Sequence, residues 1–143
     1  MWCADSFEGL PPPDPSAYPQ DAGDRHHEYD ELRITLEQVQ ESFRKYDLLD
    51  GQVKFLKGWF SDTLPDAPIE RLAILRLDGD MYQSTSEGFQ FLFDKLSPGG
   101  FVIVDDYGAV AGCRQAADDF RSSRGITDPI QPIDGIGVYW QKS

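Results

Sequence analysis

The chain has 143 residues and a net charge of −12, from 25 acidic and 13 basic side chains. That length suits one domain in which roughly two-thirds of the unfolded surface can be buried. The charge excludes a nucleic-acid backbone or an anionic membrane as partner, since no local basic patch offsets it, but it attracts divalent cations. No run nears the ~18 apolar residues of a membrane span, and the N-terminus lacks a basic-then-apolar leader. Cys3 and Cys113 form no metal or redox spacing. Free buried thiols in a reducing cytoplasm are the expected state, with one disulfide as the alternative.

Residues 2 to 4 read as a short strand, followed at once by Asp5. Residues 11 to 31 are rich in Pro, Asp and Gly and read as a long loop or lid. Thr35 and Gln38 then form a capping box. Leu36, Val39, Phe43 and Tyr46 continue it at helical spacing, and Asp50-Gly51 closes the segment. Val53 and Phe55 alternate in a strand that reaches Gly58. "SDTLPDAPIER" is a turn or short helix broken by proline, and residues 72 to 77 are the next strand.

"STSEGFQFLFDKLSPGG" predicts a helix with Phe89, Leu92, Phe93 and Leu96 on one face, ended by Pro98-Gly99-Gly100. "FVIVD" is a strand, and Val110, Cys113, Ala117 and Phe120 mark a further helix. Asp134-Gly135 predicts a hairpin whose last strand carries Val138 and Trp140. Strands alternating with helices predict an α/β fold, a largely parallel sheet with helices on both faces and a C-terminal antiparallel hairpin. Ligands bind such sheets at the carboxyl ends of the strands. Asp5, Gly58, Asp78, Asp105 and Asp106 are all expected there.

Asp78, Asp105 and Asp106 offer hard oxygen ligands for Mg²⁺, Ca²⁺ or Mn²⁺. The alternative is that Asp78 and Asp106 cap the helices that follow them. Asp5 is either an acid for ribose hydroxyls or a turn residue. Trp59 and Phe60 either stack on an adenine ring or belong to the core. His26 and His27 read as solvated loop residues, one of which could serve as a base.

Four blocks, "ADSFEGLPPPD", "FLKGWFSDTLP", "RLDGDMYQST" and "GGFVIVDDYGAVAGCRQAADDFR", resemble the macrocin O-methyltransferase family in order and over nearly the whole chain. The resemblance implies a single class I, Rossmann-like methyltransferase domain over residues 1–143 that uses S-adenosylmethionine and Mg²⁺. Its acceptor would be a hydroxyl of a sugar-bearing natural product. It assigns Asp78, Asp105 and Asp106 to the metal, and Asp5, Ser6, Gly58, Trp59, Phe60 and Asp78 to the cofactor. Asp78 and Asp80 take the catalytic positions, and residues 10–31 form a lid-like loop.

The family's first strand and glycine-rich loop have no counterpart here, so the domain is expected to be partial. Open sheet edges follow, and with them a homo-oligomer. Two other readings compete. Asp78-Gly79-Asp80 is a D-x-D pattern that a metal-dependent glycosyltransferase could use, and a non-catalytic remnant that binds metal or a partner would also carry these acids.

Overall fold

A computed structural model describes residues 1–143. The chain forms two compact units, Met1–Pro13 with Asp24–Ala67, and Asp14–Gly23 with Pro68–Ser143.

In the first unit, strand β1 (Trp2–Asp5) pairs in parallel with β2 (Lys54–Lys57), Asp5 lying opposite Lys57. Helix α1 (Leu36–Lys45) lies between them in the chain and starts with the expected capping box. The Thr35 N–H donates to Gln38 Oε1 at 2.8 Å, and the Gln38 N–H donates to Thr35 Oγ1 at 3.3 Å. Glu37 in the first turn and Arg44 and Lys45 in the last complement the helix dipole. The helix stops one residue short of its expected stripe: Tyr46 is its C-cap and 68% exposed, and Asp47 turns the chain with φ 57°. Phe43 and Phe7 both meet Phe55 edge-on, at 6.1 and 6.2 Å. The short helix α2 (Phe60–Thr63) follows β2.

The second unit holds a four-stranded sheet in the order β3 (Leu72–Leu77), β4 (Leu96–Val104), β6 (Val138–Gln141), β5 (Gln131–Pro132). β3 and β4 are parallel, whereas β6 is antiparallel to both β4 and β5. The predicted hairpin forms, its loop closed by Asp134 Oδ1, which accepts from the N–H groups of Ile136 and Gly137. β3 pairs only with β4, and β1 only with β2, so each keeps an open edge.

Leu75, Leu77, Val102, Val104, Val138 and Trp140 form the buried side of this sheet. It packs against α3 (Tyr82–Leu92) and α4 (Ala111–Ser123). Phe89 of α3 stacks on Phe120 of α4 at 4.5 Å and on Trp140 at 5.9 Å. α3 and α4 lie on that buried side, and Ile74, 57% exposed, and Phe101, 38% exposed, lie on the other.

One expectation is corrected at Pro98-Gly99-Gly100. Helix α3 ends at Leu92 and tightens into a 3₁₀ turn (Phe93–Lys95), so Leu96 already opens β4. The Pro-Gly-Gly step lies inside that strand. There the register shifts between Leu72↔Leu96 and Ile74↔Phe101, absorbing the extra residues in β4. Gly100 has no room for more: a Cβ there would stand 2.8 Å from the Ala73 carbonyl oxygen and 2.9 Å from that of Ser97.

The loop of residues 10–31 contains two 3₁₀ turns, Pro19–Asp21 and His26–Glu28, leads into a third, Asp30–Leu32, and is divided between the units. Asp21, only 4% exposed, accepts from the N–H groups of Tyr82 (2.7 Å) and Gln83 (2.9 Å). It caps α3 from 61 residues away in the chain, a role local spacing could not show. Replacing Asp21 by Ala leaves these two amides without their acceptor. It is expected to lower the urea midpoint by the equivalent of about 1–2 kcal/mol with an unchanged slope; an unaltered midpoint would show that the cap carries no stability.

Candidate functional site

In the first unit the ends of two parallel strands bring Asp5 and Gly58 together, the Gly58 N–H donating to the Asp5 carbonyl at 3.0 Å. Asp5 Oδ1 accepts from the Phe7 N–H at 2.6 Å, closing a turn that holds Phe7 at φ 55°. The Asp5 carboxylate is otherwise exposed, with Oδ2 outside the turn. Ser6 is committed within the same turn: its hydroxyl donates to the Gly9 carbonyl and accepts from the Glu8 N–H. Gly58 has φ 143°, and a Cβ on it would stand 2.8 Å from Thr63 Cγ2. Trp59, half-buried, is the N-cap of α2, and Phe60 opens that helix. Asp5, Ser6, Gly58, Trp59 and Phe60 thus line one strand-end rim.

In the second unit the parallel register Leu77↔Val104 sets Asp78 beside Asp105, and the Asp105 N–H continues the ladder to the Leu77 carbonyl at 2.9 Å. Asp106 follows directly. One carboxylate oxygen from each of Asp78, Asp105 and Asp106 lies within 4.8 Å of the others. Between β3 and α3, Gly79-Asp80-Met81 makes a tight turn in which the Met81 N–H donates to the Gly79 carbonyl, with Asp80 at φ 55°. Asp is among the few residues that tolerate this left-handed backbone. The Asp80 N–H donates to Asp106 Oδ2 at 3.3 Å, joining the two acidic loops.

These acids do not cap helices. Met81 and Val110 are the N-caps of α3 and α4, and neither helix start uses Asp78 or Asp106 side chains. The carboxylates crowd one another instead. Burial, then the charges of Asp80, Asp78 and Asp105, push the Asp106 carboxyl up from 3.8 to about 6. One cation already sits among them: Arg76 bridges Asp78 Oδ2 and Asp105 Oδ1, both at 2.8 Å. The donor set is all hard oxygen, and it suits Mg²⁺ or Mn²⁺.

His26 and His27 occupy a 3₁₀ turn and have separate partners. His26 Nδ1 lies 2.6 Å from Asp24 Oδ2, whereas His27 Nε2 lies 3.9 Å from Glu28. Neither joins an acidic cluster that could hold a metal. Cys3 and Cys113 are both free, and burial raises the Cys113 thiol to about 11.

The sequence profile of the family described as macrocin-O-methyltransferase (TylF) matches residues 1–142. The chain belongs to this family. It is 53% identical over 142 residues to a tetracenomycin-C 4'-O-methyltransferase of Streptomyces olivaceus that acts on an 8-demethyl-8-(2,3-dimethoxy-alpha-L-rhamnosyl) compound, covering 99% of this chain and 54% of that protein. It is 48% identical over 146 residues to the mycinamicin III 3''-O-methyltransferase of Micromonospora griseorubida, covering 100% of this chain and 57% of that one. Among solved structures, the O-methyltransferase NovP matches with a TM-score of 0.95 at 48% identity, over 99% of this chain and 59% of that chain. The calicheamicin methyltransferase CalS11 shares the fold, with a TM-score of 0.69 at 15% identity, over 98% and 59% of the two chains. The chain therefore spans little more than half the length of these relatives. Membership also sets aside the glycosyltransferase reading of Asp78-Gly79-Asp80.

Arg76 and Asp21 went unnoticed in the sequence. Arg76 had a signal, since residues two apart in a strand face the same side and Asp78 follows it at that spacing. Asp21 had none. The Asp106 shift has a checkable consequence. Its folded carboxyl binds a proton more tightly than the unfolded one does, so folding stability falls as pH rises from about 4 to about 6 and the loss is complete above that. Asp106→Asn, measured by urea unfolding without divalent ions, is expected to remove this part of the slope and to be the more stable chain above about pH 7. Equal slopes for both chains would count against a strained Asp106.

Proposed function

We propose that the chain supplies the cofactor and metal sites of an S-adenosylmethionine-dependent, Mg²⁺-assisted O-methyltransferase acting on a sugar hydroxyl of a natural product. The observation that carries this is the convergence of Asp78, Asp105 and Asp106 at two adjacent strand ends in a chain of this family. The names of the relatives, a rhamnosyl tetracenomycin and a mycinamicin methyltransferase, support a glycosylated acceptor.

When bound, Mg²⁺ supplies a Lewis acid that makes a sugar hydroxyl more acidic, and S-adenosylmethionine supplies the methyl group. Asp78, Asp105 and Asp106 would hold the ion through carboxylate oxygens. Asp80, presented by its left-handed turn, is assigned with Asp78 to the reacting end, where a carboxylate takes up the hydroxyl proton. Asp5 binds the ribose hydroxyls of the cofactor, for which Oδ2 is available. Gly58 would let the backbone come close, and Trp59 and Phe60 would line the adenine. Ser6 shapes the turn that presents Asp5. The gain in rate would come mostly from placing acceptor oxygen and methyl carbon in line.

No helix is long and apolar enough to cross a membrane, and two free thiols suit a reducing cytoplasm. The open edges of β1 and β3 support self-association. Sedimentation velocity is expected to show a dimer or larger species; a strictly monomeric, cooperatively folded chain would overturn that part.

The site itself is tested by calorimetric titration with S-adenosylhomocysteine, in Mg²⁺ and in EDTA. Micromolar binding that Asp5→Ala weakens at least about tenfold is expected, from the loss of charged hydrogen bonds to the ribose. A folded chain that binds nothing in either condition would leave only the non-catalytic reading.

A further inference from the structure

We propose that Arg76 is a resident counter-ion of the acid cluster, which occupies the metal-binding carboxylates and holds divalent-cation affinity below what the three acids alone would give. The inference rests on the metal reading of Asp78, Asp105 and Asp106.

Arg76 lies on β3, two residues before Asp78, so both side chains leave the same side of the strand. Nη1 meets Asp78 Oδ2 and Nη2 meets Asp105 Oδ1, each at 2.8 Å. These are the carboxylates whose oxygens converge with Asp106. The fork of the guanidinium fits two neighbouring carboxylates as a divalent ion would, and it stays charged at any working pH. Guanidinium and ion therefore compete for the same two carboxylates.

Two effects oppose each other. Arg76 could help an ion by keeping Asp78 and Asp105 in place before it arrives. That help is small, because the backbone already does this through the Leu77↔Val104 register and the Asp105 N–H to Leu77 carbonyl bond. The repulsion between a guanidinium and a divalent ion a few ångströms away is not small. Charge therefore wins over preorganisation. Arg76 can give way, because its side chain is 52% exposed and its partners 45% and 42% exposed, and ion pairs this wet are weak. Its stem can swing toward solvent while its charge stays near the site.

Mn²⁺ binding to the 143-residue chain, followed by calorimetry and by the spin-resonance signal of the free ion, separates these effects. Arg76→Gln and Arg76→Met are two independent charge-free variants, and Arg76→Lys keeps the charge. Both charge-free variants are expected to bind Mn²⁺ about tenfold or more tightly than the parent, as removal of a unit charge beside a divalent ion implies. Arg76→Lys should stay within about threefold of the parent, since the unit charge that repels the ion remains although the fork is lost. Asp106→Asn in the parent and in Arg76→Gln should lose binding, and Arg71→Gln, just before the start of the strand, should change little. Unchanged or weaker binding by the charge-free variants, or equal tightening by Arg76→Lys, overturns the counter-ion role and leaves the metal site standing. If neither the parent nor any Arg76 variant binds Mn²⁺, the metal reading falls and this inference falls with it.

Discussion

Everything chemical in the second unit depends on the parallel register of β3 and β4. Strand spacing is about 4.8 Å, so pairing Leu77 with Val104 leaves Asp78 and Asp105 side by side just past the ladder. A slip of one residue would turn one of them to the other side of the sheet. The register is secured by the apolar face below it, where Leu75, Leu77, Val102 and Val104 are buried against α3 and α4. The stack of Phe89, Phe120 and Trp140 on that buried side is thus the foundation of the acid cluster.

Like charges held by such a frame must be compensated. The chain does this unevenly. Arg76 serves Asp78 and Asp105, whereas Asp106 receives one backbone N–H, from Asp80, and carries the raised carboxyl. With a net charge of −12 the surroundings offer little further relief. A site of this kind is a stability cost in the metal-free chain and a binding asset once a cation is present.

The turn that presents Asp80 is also held from outside its own stretch of sequence. Asp21 binds the first two free amides of α3, immediately after Met81. Gly112, in the first turn of α4, lies close enough that a Cβ there would stand 3.0 Å from Asp21 Oδ1. One buried carboxylate therefore abuts the starts of the two helices that follow the acidic loops. In the first unit the corresponding work is local: Asp5, Ser6 and Gly58 shape their own turns.

By itself the sequence determined the order of strands and helices, the capping box at Thr35 and Gln38, the strand at residues 72 to 77, the hairpin at Asp134-Gly135, and the family. These signals are short-range: periodic burial, caps and turn residues act within a few positions, and motif blocks are read in order. Strand-end acids were legible for the same reason, since each follows its strand directly. Only the tertiary structure decided that Pro98-Gly99-Gly100 is a register shift inside β4 and not a helix stop, and that Asp21 caps α3. It also decided that Arg76 reaches a carboxylate 29 residues away. Each of these depends on which backbone groups and charges lie opposite one another across strands, and burial and strand pairing settle that only when distant segments meet.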